Sequence, residues 1–165
     1  MLTSLKKFSV FGLFVAILSF LPLLAQAQQQ LPLPRMVSLR AEEVNVRTGP
    51  GVQYPVKWIF KAKAMPVEII AEYDTWRKIR DSEGEEGWIH RAMLTGKRAL
   101  VVIDAETKMM EDPIENSAIV ARLAMGIVAE IDECNSSWCH VNTRGYDGWV
   151  ARTAVWGVYP HEVIQ

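Results

Sequence analysis

Val67-Glu68-Ile69-Ile70-Ala71-Glu72-Tyr73, then Asp74-Thr75, then Trp76-Arg77-Lys78-Ile79-Arg80, is the stretch whose reading decides the fold. Two runs rich in β-branched and aromatic residues flank a two-residue polar turn, a pattern that predicts an antiparallel hairpin. Glu86-Gly87-Trp88-Ile89-His90-Arg91 reads as the next strand, after an acidic turn that carries Gly84. From Met36 onward no helix-length amphipathic pattern occurs. The segments are short, rich in Val, Ile and Trp, and punctuated by Gly, Pro, Asn and Asp, so the chain is expected to be all-β.

The same stretch recurs. A shift of 62 residues lays Trp76 on Trp138, Ile79 on Val141, Glu68 on Glu130 and Ile69 on Ile131. Gly87-Trp88-Ile89 then meets Gly148-Trp149-Val150 after one deletion. The chain therefore reads as two copies of one β unit, 36–97 and 98–160, followed by a tail, 161–165. A unit this small buries only about 60% of its unfolded surface. The linker Thr95-Gly96-Lys97-Arg98 is short, so the units are expected to hold a fixed relation.

The 165 residues carry 18 Lys+Arg against 19 Asp+Glu, and this near-neutral balance without a long basic run argues against a nucleic-acid partner. The halves differ: 36–97 holds 10 cations and 9 anions, whereas 98–165 holds 5 and 10. Copies so diverged in charge meet different partners or each other, unless the difference is drift of a solvated surface. The 50% hydrophobic share overstates the core, because part of it lies in one N-terminal block.

That block reads as a targeting signal. Lys6 and Lys7 precede an uncharged apolar run from Phe8 to Leu24, broken by Pro22, and Ala25-Gln26-Ala27 offers the small-x-small cleavage pattern. The alternative is an uncleaved anchor, for which a run this short is at the lower limit. No Cys lies near the site, which leaves a lipid anchor unsupported. Cleavage after Ala27 would send residues 28–165 to the periplasm or outside, with no stable membrane insertion thereafter. Residues 28–35, with Pro32 and Pro34, read as an extended leader.

Val44-Asn45-Val46-Arg47-Thr48-Gly49-Pro50-Gly51, followed by Tyr54-Pro55-Val56, Trp76 and Gly87-Trp88-Ile89, resembles the bacterial SH3-like domain family. Gly49 and Gly51 are expected to supply backbone angles closed to other residues. The second unit replaces this string with Lys108-Met109-Met110-Glu111-Asp112-Pro113 but keeps Trp138, Gly148-Trp149-Val150 and Trp156-Gly157-Val158-Tyr159-Pro160. The whole looks like the exported tandem SH3-like proteins of proteobacteria. The resemblance implies two small barrels and a binding role, toward peptidoglycan stem peptides or an envelope protein. Many relatives are fused to a wall-cleaving enzyme, for which residues 159–165 leave no room here.

Cys134 and Cys139 are the only cysteines, and in an oxidising compartment they are expected to pair. Their counterparts in the first unit are Glu72 and Arg77, an opposite-charge pair suited to facing positions of a hairpin. A redox site normally needs Cys-x-x-Cys, and a zinc site using His140 or His161 would be a poor tetrahedral set. Neighbouring Cys139 and His140 point to opposite faces of a strand, which argues against a catalytic dyad. His90 and His161 read as surface residues, and Glu83, Glu85 and Glu86 as a solvated turn. The chain is expected to be no enzyme and to need no metal or cofactor.

Six Trp and four Tyr all follow the targeting block. Trp88 and Trp149 are expected to pack inside the barrels. By the resemblance, Trp76 and Tyr54 wall a ligand groove beside the Gly49–Gly51 loop. Arg47 there offers charge or braces the loop, and Trp138 marks the same place in the second unit. Such walls suit an extended peptide. The alternatives are that Trp76 and Trp138 cap the barrels or fill the junction between them, and that the protein is a structural adaptor.

Overall fold

The computed structural model describes residues 31–165. The expected cleavage site and residues 28–30 of the leader lie outside the described residues. Within them the chain is all-β, apart from two 3-10 turns at Arg91–Met93 and Arg152–Ala154. The first barrel comprises β1 (Arg35–Leu39), β2 (Val44–Arg47), β3 (Val56–Phe60), β4 (Pro66–Tyr73), β5 (Trp76–Arg80), β6 (Glu86–His90) and β7 (Leu94–Thr95). The second comprises β8 (Ala99–Val102), β9 (Glu106–Met110), β10 (Ile119–Ala124), β11 (Val128–Cys134), β12 (Trp138–Thr143), β13 (Tyr146–Ala151) and β14 (Val155–Trp156). Strand order is β3-β2-β6-β5-β4-β1-β7 in one sheet and β10-β9-β13-β12-β11-β8-β14 in the other. Every strand of the first thus has its counterpart seven places on, and the duplication read from two Trp is a duplication of topology.

The hairpin at the centre forms because Asp74 takes a left-handed φ of 48°, letting Tyr73 pair directly with Trp76. Alternation then sorts the side chains: Val44, Val46, Val67, Ile69, Ile79, Ile89 and Leu94 fill the first core. Leu100, Val102, Met109, Val141, Val150 and both cysteines fill the second. The same alternation corrects the placement of Trp88 and Trp149. Their neighbours Ile89 and Val150 point inward and are fully buried, so the indoles stand half-buried on the outer face. The glycine before each is buried because its strand presses on the core: a Cβ on Gly148 would lie 2.7 Å from the Met110 carbonyl oxygen and 2.8 Å from Met109 Cγ.

The barrels touch. Tyr159 Oη donates to Glu68 Oε1 at 2.8 Å, and Ser38 Oγ anchors the linker by donating to the Lys97 carbonyl at 2.7 Å. Glu68, 7% exposed, is neutralised from its other oxygen by Arg80, whose Nε and Nη2 donate at 2.9 and 2.7 Å. Burial, with the Glu68 carboxylate beside it, drives the Tyr159 phenol far above its ordinary pKa. The C-terminal residues are no loose tail either: Ile164 and Cys134 exchange both backbone hydrogen bonds, at 2.9 and 3.1 Å.

Candidate functional site

Tyr54 sits on the loop between β2 and β3, 39% exposed, with its ring laid against Gly49. Gly49 and Gly51 both keep ordinary negative-φ backbone, contrary to the expectation of special angles. What they supply is close approach. A Cβ on Gly49 would sit 2.5 Å from the Tyr54 ring, and one on Gly51 2.2 Å from the Gln53 amide. Arg47 closes the loop by donating from Nη1 to the carbonyls of Val52 (3.1 Å) and Tyr54 (2.8 Å). Its guanidinium is a brace that spans the turn.

Trp76 opens β5 on the outer face, edge-on to His90 at 5.4 Å between ring centroids. It lies two strands from Arg47, with β6 between. The aromatic directly beside Arg47 is Trp88, which pairs across the sheet with Arg47 on one side and Lys78 on the other. Sequence reasoning left Trp88 out because a Trp after Gly was read as core; the burial of Ile89 was the signal that could have placed it. Together these residues form an aromatic and basic outer face on the first barrel. His90 also does local work, its Nδ1 accepting from the Ala92 amide at 3.3 Å to cap the 3-10 turn.

Trp138 occupies the same place in the second barrel, but its surroundings differ. It lines an open cleft with Met110, Thr107, Glu106, Glu115 and Thr153. Thr107 is 3% exposed, and its Oγ1 has no hydrogen-bond partner among the described residues. The acidic lining follows from the charge excess of the second half.

Cys134 and Cys139 face each other across β11 and β12, joined as a disulfide with Cα atoms 4.1 Å apart. In the first barrel Glu72 faces Arg77, with Glu72 Oε1 3.0 Å from Arg77 Nε and a second ion pair to Arg35. While the bond is formed, neither sulfur is a thiolate free to bind a metal. His140 Nε2 lies 3.0 Å from Asp147 Oδ1, and its Nδ1 lies 3.4 Å from Asp132 Oδ2. These three groups, whose ligand atoms lie within 4.8 Å of one another, are the set among the described residues most able to hold an ion. The matching position in the first barrel is the Lys78–Glu86 pair at 2.6 Å, so an ordinary surface ion pair explains the cluster. No helix of the described residues is long and apolar enough to cross a membrane.

The chain is similar to several known proteins. The chain is 23% identical over 124 residues to the "Putative N-acetylmuramoyl-L-alanine amidase YrvJ" of Bacillus subtilis (strain 168). The match takes in 68% of this chain and 24% of that protein, so the chain spans about a quarter of its length. Among solved structures, NlpC1 from Trichomonas vaginalis is matched over 82% of this chain and 50% of that one, at 18% identity and a TM-score of 0.35. An NlpC/P60 family protein from Bacillus cereus ATCC 10987 is matched over 73% and 55%, at 10% identity and a TM-score of 0.34. The family model described as "Bacterial SH3 domain" matches twice, at residues 40–96 and 104–157. By that double match, which covers most of both barrels, the chain belongs to the bacterial SH3 domain family.

Proposed function

We propose that this protein is a non-catalytic binding module of the cell envelope that recognises peptidoglycan stem peptides, working in the periplasm or outside the cell. The observation that carries the reading is the outer face of the first barrel. There half-buried Trp76 and Trp88 stand near the braced loop that presents Tyr54, with Arg47 and Lys78 alongside. Flat apolar walls edged by a few polar groups hold an extended peptide. The name of the Bacillus subtilis relative, an amidase of muramoyl-alanine bonds, supports a wall ligand. The Trp138 cleft is the corresponding place on the second barrel. As a non-catalytic module the chain works by binding alone, with no cofactor.

The test is retention on protein-free sacculi, comparing the protein with a Trp76→Ala, Trp138→Ala double variant whose fold is verified by circular dichroism. Capture of the parent with loss in the folded variant supports the reading. Failure of the parent to bind would end the wall hypothesis in favour of an adaptor that binds another envelope protein.

A further inference from the structure

The two barrels treat one end of the molecule differently. In the second barrel, residues 159–164 lie across the end of β11: Ile164 bridges Cys134 and packs on the core cluster. Two arginines hold the segment. Arg98 donates to the Glu162 carboxylate. Arg152 donates to the carbonyls of Glu162 (2.7 Å) and Tyr159, and to that of Asn135 beside them.

The first barrel has the same fittings, and among the described residues only Leu31 of the leader reaches them, its carbonyl accepting from Arg35 at 3.4 Å. The pairing registers Met36↔Glu68 and Ala99↔Glu130 make Arg35 the counterpart of Arg98. Arg91, first residue of its 3-10 turn, is the counterpart of Arg152. Glu72 is the counterpart of Cys134. β1 stops pairing with β4 at Ile69, so Ala71–Tyr73 has no partner strand on that edge among the described residues. Tyr73 and Trp76 flank a two-residue turn, which makes them the hydrogen-bonded pair and leaves the Glu72 amide and carbonyl pointing to the open edge. Beside this edge lies a groove lined by Leu31, Arg35, Arg40, Arg77 and Arg91 over Ile69 and Leu94, in which Arg35 and Arg77 are already paired with the Glu72 carboxylate. Arg40 and Arg91 are exposed and form no ion pair among the described residues, whereas Arg152 is half-buried under its segment.

We propose that this groove binds an extended acidic peptide segment of a protein partner, added as a short strand at Glu72. Arg91 would grip its backbone carbonyls, and Arg40 with Arg91 would meet a carboxylate. Charge decides the chemistry. Where the second barrel offers an apolar disulfide to Ile164, the first offers the Glu72–Arg77 ion pair with Arg35, and leaves Arg40 and Arg91 as cations with no anion among the described residues. This site is separate from the tryptophan face and stands whether or not the wall is a ligand.

The probe is a labelled heptapeptide of the sequence found at residues 159–165, Tyr-Pro-His-Glu-Val-Ile-Gln, with a second peptide carrying Gln for Glu. Fluorescence anisotropy on the whole protein should show binding that weakens at least tenfold for the Gln peptide and for an Arg40→Ala, Arg91→Ala variant. An Arg91→Glu variant should prefer a Lys-bearing peptide to the Glu one. Both arginines are exposed and form no ion pair among the described residues, so thermal unfolding should not move in either variant. Absence of binding at millimolar peptide overturns the proposal. So does binding that ignores both substitutions, the result expected if the peptide merely displaces the covalent segment from the second barrel.

Discussion

Severing the Cys134–Cys139 bond should cost the second barrel about 2 kcal/mol, and the structure says how that figure divides. The bond closes a loop of six residues, and the chain-entropy term for a loop of that size is about 2 kcal/mol. Reduction removes that term alone. Replacing both residues by Ala also empties sulfur-sized space in a core where Cys134 and Cys139 are 2% and 0% exposed. Each loss resembles deletion of one buried methylene, about 1 kcal/mol, so the double variant should lose about 4 kcal/mol. The counterpart control is Glu72→Ala with Arg77→Ala in the first barrel. That largely buried ion pair also holds Arg35, so its loss should cost the first barrel stability and leave the second barrel's transition in place. The assay is urea unfolding followed by Trp fluorescence, on oxidised, reduced and double-alanine protein. Stability should fall in that order. A reduced protein within about 0.5 kcal/mol of the oxidised one would refute the loop argument. Two free thiols in the native protein would refute the bond itself.

Other perturbations test other joints. Tyr159→Phe removes the donor to Glu68 while Arg80 keeps that carboxylate paired, so a loss of about 1 kcal/mol is expected in the same unfolding assay. Gly148→Ala drives a methyl group against the Met110 carbonyl and Met109, and should destabilise by about 1–3 kcal/mol; an unchanged midpoint would mean β13 yields more readily than its packing implies. Hydrogen bonding from Arg98, outweighing partial burial, holds the Glu162 carboxyl below its ordinary range. A depressed carboxyl stabilises the fold above its unfolded pKa, and that contribution is lost as pH falls through the folded one. Exchange of the Cys134 and Ile164 amides should therefore quicken, relative to core amides, as the solution is acidified below the usual carboxylate range. Glu162→Gln should remove that dependence.

Which features the sequence disclosed follows from how local their causes are. A hairpin needs only alternation and a turn, so Val67–Arg80 could be read directly, and duplication made the second copy legible through Trp138 and Gly148-Trp149. The facing of Cys134 with Cys139, and of Glu72 with Arg77, followed from the same register. The loop glycines were identified for the wrong reason, since close approach of Tyr54 and Gln53 is a matter of packing and leaves no mark in a dihedral preference. Trp88 and Trp149 were misplaced because a large aromatic carries no label saying which face of a strand it occupies. Only the neighbouring Ile89 and Val150, filling the interior, force the indoles outward.

By itself, then, the sequence determined the all-β class, the twofold repeat and the covalent cross-link, each set by residues close in the chain. Tertiary structure alone decided what happens at the ends of the barrels. That Arg98 and Arg152 clasp residues 159–164, while Arg35 and Arg91 line a groove, depends on groups as distant in the chain as Arg98 and Glu162, 64 residues apart, meeting in space. No periodicity records such a meeting, because it is fixed by the closing of each sheet and by where the chain is free to return.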